Sequence, residues 1–298
     1  MKKLSIAVVT PSFNQGQFIE ETINSILSQD VESMDYFVVD GGSTDETVLI
    51  LERYKDQLRY VSEKDRGQSH AVNKGIRQAS SDIIAWLNSD DIYYPGTLKT
   101  VEAFFREHPE VDILYGMADH IDVEGNFIEK YPTEEHSPDR LLLTCYFSQP
   151  AVFFRRRVVE KCGLLDEALN YCMDYEYWIR LSKEKDLKFF YLPVTLAATR
   201  LHADTKTLGS KVKVHNEINT MLKKSVGRVP DRWLFNYAHI VMDQQIDKKL
   251  RPVYFVVGVS CWSIFASLRW NRLLSSTLLK TIFQWNFGIL KRKWKAQT

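Results

Sequence analysis

Short apolar runs alternate with amphipathic stretches through the first half of the chain. Leu4–Val9 is apolar and stops at Thr10-Pro11-Ser12. Residues 17–29 then take helical spacing, with Phe18, Ile19, Ile23, Ile26 and Leu27 on one side. Tyr36–Val39 reads as a strand that ends in Asp40-Gly41-Gly42-Ser43-Thr44-Asp45. Ser43 and Glu46 stand at capping-box spacing ahead of a helix through Val48, Leu49, Leu51 and Tyr54. Leu58–Val61 is a third strand, 68–79 a helix, and Ile83–Leu87 a fourth strand ending in Asn88-Ser89-Asp90-Asp91. A helix over 97–107 and a strand at Val111–Tyr115 follow. This alternation, with apolar and β-branched strands, predicts a buried, mostly parallel sheet covered by helices. Ligands of such sheets sit beyond the carboxyl ends of the strands, where the polar, glycine-containing clusters converge.

The stretch from about 120 to 205 is less regular. Ala151–Phe154 and Phe189–Leu192 read as strands, and Tyr175–Ser182 as the start of a helix. Beyond about 206 the pattern becomes helical and aromatic, with five of the seven tryptophans.

Composition changes the picture in two places. With 298 residues, 45% hydrophobic and 26% charged, the chain is globular rather than disordered or fibrous. Its net charge of +1 hides an asymmetry: no acidic residue follows Asp247, while ten Lys and Arg do. A mildly acidic body thus carries a basic tail, which excludes a generally basic nucleic-acid binder and points the tail toward an anionic surface. Pro252–Leu268 is uncharged between Arg251 and Arg269, and Leu273–Leu290 is also apolar and aromatic. The flanking Arg, Lys and Trp suit a helix in the headgroup layer of a membrane; the alternative is a helical cap packing its apolar face on the preceding domain. The four cysteines form no CxxC pair, and the apolar run after Met-Lys-Lys is too short for a secretory signal. A cytoplasmic location is expected, with possible peripheral contact at the inner face of the membrane through 250–298.

Three carboxylate clusters carry candidate chemistry. Asp90 and Asp91, adjacent at a strand end, suit a hard divalent cation, Mg²⁺ or Mn²⁺; the alternative is a plain turn. Asp40, beside two glycines that let a ligand approach the backbone, can accept from a ligand N–H or hydroxyl; the alternative is a strand-to-helix turn. Asp174 precedes an apolar helix and serves either as general base or as a helix cap. Arg66, in Asp65-Arg66-Gly67, is a candidate phosphate contact or a solvated loop charge. His202 completes a metal shell or is structural. Gly75 is a packing glycine. There is no GxGxxG and no Walker lysine motif, so dinucleotide and P-loop readings lack support.

Taken in order, these motifs resemble the inverting glycosyltransferases of family 2. The match runs from about Ser5 to about Thr207. It consists of Thr10-Pro11-Ser12-Phe13-Asn14, Val39-Asp40-Gly41-Gly42-Ser43-Thr44-Asp45, Asp65-Arg66-Gly67, Asn73-Lys74-Gly75, Asn88-Ser89-Asp90-Asp91, the stretch Gln149 to Arg156, and the acidic cluster at Asp174. The resemblance implies a GT-A nucleotide-sugar-binding domain, α/β and Rossmann-like with helices on both faces, over 1–207. A helical tail then occupies 208–298. It implies donor contacts at Thr10, Pro11, Asn14, Asp40, Gly41, Asp65, Arg66, Ser89 and Asp90, with Asp40 on the base. It implies a divalent metal on Asp91, with Asp90 on the ribose or metal-bound water, and a catalytic base at Asp174. Met173-Asp174 stands where the family more usually has Glu-Asp, which leaves Glu176 as a substitute. The expected reaction is transfer of a sugar, with inversion, from a nucleotide-sugar (UDP favoured) to a glycan or lipid-linked acceptor in surface polysaccharide synthesis. The competing readings are a nucleotidyltransferase, disfavoured because no Gly-rich basic loop follows the first strand, and a non-catalytic sugar- or nucleotide-binding relative.

Overall fold

The computed structural model describes residues 3–202, 205 and 209–295, with side chains described as far as 288. The chain divides into two compact units, Met1–Ala203 and Asp204–Thr298.

In the first unit the strands β1 (Ile6–Ser12), β2 (Met34–Asp40), β3 (Arg59–Ser62) and β4 (Ile83–Trp86) lie side by side in the order β3-β2-β1-β4, all parallel. Their side chains alternate between faces, as the two-residue period of a strand requires. Ile6, Val8, Tyr36 and Val38 enter one core with Ile19, Ile23 and Ile26 of α1 (Ile19–Leu27), Leu51 of α2 (Thr47–Arg53), and Leu98 and Val101 of α4 (Thr97–Glu107). Phe37 and Val39 turn to the other face and meet Ala71 of α3 (Gln68–Gln78). Helices therefore cover both faces. At Gly75 a Cβ would come within 2.3 Å of Val9 Cγ1, so glycine is what lets α3 sit this close to β1.

The parallel pattern holds for these four strands and then breaks. β8 (Val152–Arg155) inserts antiparallel between β4 and β6 (Ile113–Ile121). β9 (Phe189–Arg200) runs parallel to β6, the two-residue β5 (Ile92–Tyr93) pairs antiparallel with β9, and β7 (Phe127–Lys130) pairs antiparallel with β6. The sheet is mixed overall. Both β6 and β9 are longer than their apolar runs. Their pairing shifts register at Gly116–Met117 and again at Met117–Ala118, which breaks the alternation that marks a strand in sequence. The short helices α5 (Pro138–Leu141), α6 (Arg156–Cys162) and α7 (Met173–Ser182) complete the unit.

Among the described residues the second unit consists of α8 (Lys211–Val226), α9 (Asp231–Asp243), α10 (Pro252–Asn271) and α11 (Ser276–Lys295). Its core joins Ala238 and Met242 of α9 to Phe255 and Val259 of α10, with Trp262 and Trp285 packed against it. Asn271 closes α10 by exchanging two hydrogen bonds with the main chain of Val229, both 2.9 Å.

Candidate active site

Parallel register brings the carboxyl ends of the first strands level: Ser12 lies opposite Asp40, and Asp40 opposite Ser62. The loops that follow are sewn together there. Asn14, at a left-handed φ of 51°, accepts the Thr44 N–H at 2.9 Å and donates its own N–H to Ser43 Oγ at 2.7 Å. Asp45 accepts from the N–H groups of Gly16 and Thr47, at 2.9 and 3.0 Å.

Asp40 is wholly buried. Its Oδ2 accepts from the N–H groups of Gly42 and Ser43 and from Ser62 Oγ (3.1, 2.9 and 2.6 Å), and its Oδ1 accepts from Ser43 Oγ at 2.5 Å. Its first task is thus to hold the Gly41–Ser43 turn. Ser43 is not the cap of a helix begun with Glu46: the charged acceptor Asp40 takes its hydroxyl, and α2 begins at Thr47, whose N–H goes to Asp45. A Cβ at Gly41 would lie 2.9 Å from Asp65 Oδ2, so the Asp40 and Asp65 loops touch at a glycine. Asp65 accepts the Gly67 N–H at 2.8 Å, and Arg66 reaches Glu167 at 2.5 Å.

The end of β4 is organised by Asn88. Its Oδ1 accepts from Gln68 Nε2 and Trp86 Nε1 (2.8 and 2.9 Å), and its Nδ2 donates to Asp91 Oδ2 and Gln149 Oε1 (3.1 and 3.0 Å). Asp91, 2% exposed, has its other oxygen on the Arg200 N–H at 3.0 Å. Burial, and then the adjacent Asp90 charge, push its carboxyl well above the usual range. Asp90 is turned outward, partly exposed, with Oδ2 3.0 Å from His202 Nε2. Ser89 beside it is buried. The structure therefore brings together Asp90 and His202 and turns Asp91 the other way, onto Asn88 and the Arg200 main chain. Among the described residues no three His, Cys, Asp or Glu side chains form a ready-made cage.

Arg200 stands behind this edge, 1% exposed. Its guanidinium donates to the carbonyls of Asp90, Asp122 and Val123 (3.1, 3.0 and 3.1 Å) and to Glu21 at 2.6 Å. Sequence reasoning gave it no part. The available signal was its position two residues before His202, at the end of an apolar, β-branched stretch.

Asp174 and Glu176 lie in the first turn of α7. Asp174 is partly buried and its Oδ1 accepts the Tyr175 N–H at 2.8 Å. Glu176 is held by Arg180 through two bonds, 3.0 and 2.8 Å, and Arg180 is itself fixed by the carbonyls of Cys162 and Leu164. The loop ahead of α7 is latched to α3 by Asn73, which exchanges bonds with the main chain of Leu165 (3.0 and 2.9 Å) and donates to Glu167 at 3.1 Å. The Asn73 amide, and then Arg66, hold the Glu167 carboxyl below its usual value.

Residues 7–163 match the profile of Glycosyl transferase family 2. An uncharacterized glycosyltransferase of Rickettsia conorii is 27% identical over 227 residues, 71% of this chain and 36% of that protein. The chondroitin synthase of Escherichia coli is 26% identical over 184 residues, 60% of this chain and 26% of that protein. The chain thus spans only part of the length of these relatives. Among solved structures, S. aureus TarS 1-349 in complex with UDP-GlcNAc superposes with a TM-score of 0.62 at 16% identity, over 96% of this chain and 89% of that one. The mannosyltransferase PcManGT from Pyrobaculum calidifontis, in complex with GDP-Man and Mn²⁺, gives 0.60 at 16% identity, over 100% and 84%. At such identity the structural likeness is one of fold, GT-A with a helical C-terminal region. The matched profile covers more than half of the chain, and the protein belongs to glycosyl transferase family 2.

Proposed function

We propose that the chain transfers a sugar from a nucleotide-sugar, a UDP-sugar by preference, to a hydroxyl of a glycan or lipid-linked glycan with inversion, in surface polysaccharide synthesis on the cytoplasmic side. One observation carries this reading. The aligned strand ends gather Asp40, Asp65 and Asn88-Ser89-Asp90 at one edge, and β9 returns to set His202 against Asp90.

In this reading each residue takes the role the family resemblance implies, weighed against its surroundings here. Thr10, Pro11, Asn14 and Gly41 line the nucleoside side with Asp40. The Asp40 Oδ1 carries a single protein donor, so it retains capacity for a base N–H. Arg66 is 70% exposed, and its pair with Glu167 is of the kind worth about 0–1 kcal/mol, so a diphosphate competes for it readily. A partly exposed carboxylate oxygen beside an imidazole nitrogen is a fitting donor set for Mn²⁺ or Mg²⁺, with donor phosphates and water completing the shell. We assign the metal to Asp90 and His202 rather than to Asp91, which is 2% exposed and turned inward onto Asn88 and the Arg200 main chain. A cation held by Asp90 and His202 would supply charge neutralisation for the diphosphate leaving group. Asp174 is the base that removes the acceptor's hydroxyl proton as that oxygen attacks the anomeric carbon. Glu176 is excluded from that task in this reading because Arg180 holds it at both oxygens. The relatives bear on the substrates: TarS was solved with UDP-GlcNAc, PcManGT with GDP-Man and Mn²⁺, and chondroitin synthase is named for a polysaccharide.

Calorimetry with UDP, GDP, dTDP and CMP, each with and without Mn²⁺, tests the reading. One nucleotide binding in a metal-dependent manner, with loss in Asp90→Asn, is the expected result. A folded protein that binds none of them would overturn it.

A further inference from the structure

A helix that is apolar all round is normally buried all round. α10 is not. Its buried arc, Phe255, Val259, Ser263, Ala266 and Trp270, packs within the second unit. The opposite arc presents Tyr254, Val257, Cys261, Phe265 and Leu268, at intervals of three and four residues that keep them in one stripe. Tyr254 is 69% exposed, and Phe265 and Leu268 49% each. α11 repeats the arrangement, with Leu279, Phe283 and Phe287 exposed four residues apart and the two phenylalanine rings stacked at 5.9 Å. Apolar surface of this extent is unusual on a protein face that meets only water.

From Arg251 onward, through α10 and α11, every charged residue is basic. Arg251 lies at one end of the α10 stripe and Arg269 and Arg272 at the other, with Lys280 on α11, all exposed. The sequence continues into Lys291-Arg292-Lys293, whose side chains lie outside the described residues, and no acidic residue follows Asp247. A second copy of the chain would bring like charge against like charge. A nucleic acid would gain little from Val, Leu and Phe. An anionic lipid surface satisfies both features, because the rings and aliphatic chains enter the acyl boundary while the cations meet the headgroups.

We infer that the second unit binds the surface of an anionic bilayer with α10 and α11 lying in its plane, through Tyr254, Val257, Phe265, Leu268, Phe283 and Phe287 and the flanking arginines. At 20 residues α10 is long and apolar enough to cross a bilayer by composition alone. It is instead tied along its other side: Met242 meets Gly258 so closely that a Cβ there would lie 2.4 Å from Met242 Cε, and Asn286 donates to Ser260 Oγ at 2.9 Å. A helix so engaged lies flat.

Flotation of the full chain with vesicles tests this. Vesicles of equal parts phosphatidylcholine and phosphatidylglycerol at low salt are expected to carry the protein up the gradient. Pure phosphatidylcholine is expected to bind it less, by about fivefold for each basic residue at the surface. The double variant F283S/F287S is expected to bind about tenfold or more weakly, since each buried ring is lost. Both variant and parent should bind UDP alike, which keeps failure here separate from failure of the transferase reading and shows that the variant folds. Three results would overturn the inference: a folded parent that stays below the anionic vesicles, equal flotation on both lipids, or a concentration-dependent dimer that F283S/F287S abolishes.

Discussion

The main-chain N–H of Arg200 donates to Asp91 Oδ1 at 3.0 Å across 109 residues of sequence. That bond sets two adjacent carboxylates in different surroundings. Asp91 faces inward and ties β9 to the end of β4, while Asp90 faces His202.

The two aspartates should therefore fail differently. Asp91→Ala leaves the Arg200 N–H and one N–H of the Asn88 amide, whose other stays on Gln149, without an acceptor, each roughly 1–3 kcal/mol when buried. Thermal unfolding should show a loss of about 2–5 kcal/mol. Asp90→Asn should unfold close to the parent temperature yet lose metal-dependent nucleotide binding. The reverse pattern would return the metal to Asp91.

Arg200→Lys keeps a positive charge but not the planar fork that serves four acceptors at once. It should weaken Mn²⁺-dependent donor binding and lower stability together, by about 2 kcal/mol in unfolding. A variant that unfolds and binds like the parent would show that Arg200 only fills space.

For the base, Asp174→Asn should lower turnover by roughly 10²–10⁴-fold while leaving UDP binding intact. Glu176→Gln should instead weaken the Arg180 pair and cost about 2 kcal/mol of stability, with turnover per folded molecule near that of the parent. Comparable loss of turnover in Glu176→Gln would move the base there.

Asn73 is a positioning residue, since it fastens the loop ahead of α7 to the helix that follows the Asp65 loop. Asn73→Ala should lower kcat more than it raises the donor KM, with a stability loss of roughly 1–3 kcal/mol from the unpaired Leu165 main chain. A rise in KM alone would place the effect on the donor side.

Mild acid should weaken the fold through its partly buried histidines. Burial lowers the imidazole pKa of His136, His215 and His239 below 6.5. As pH falls through 6.5 the unfolded chain takes up these protons first, so stability present above that value declines toward the folded pKa values. The melting temperature should fall between about pH 7 and pH 5, and less steeply in His136→Gln. A flat profile in that interval would contradict the burial argument.

The local pattern of the chain was enough for the parallel strands and their helices. Apolar runs of Val and Ile ending in Thr10-Pro11, Asp40-Gly41 and Asn88-Ser89 can pack in few other ways, because hydrophobic periodicity and turn chemistry act within a dozen residues. The same locality limited the rest. β9 was legible only to Leu192, since its register shift against β6 hides the alternation, and with it went the significance of Arg200. Ser43 looked like a cap until Asp40 claimed its hydroxyl. Asp90 and Asp91 are equivalent in sequence, and only the return of a strand from residue 200 makes one buried and the other a neighbour of His202. Sequence by itself determined the parallel strands and the polar residue types gathered at their ends, because periodicity and short spacings decide that. Tertiary structure alone decided which carboxylate is buried against Arg200 and which stands beside His202, because burial and long-range hydrogen bonds are set by partners more than a hundred residues away.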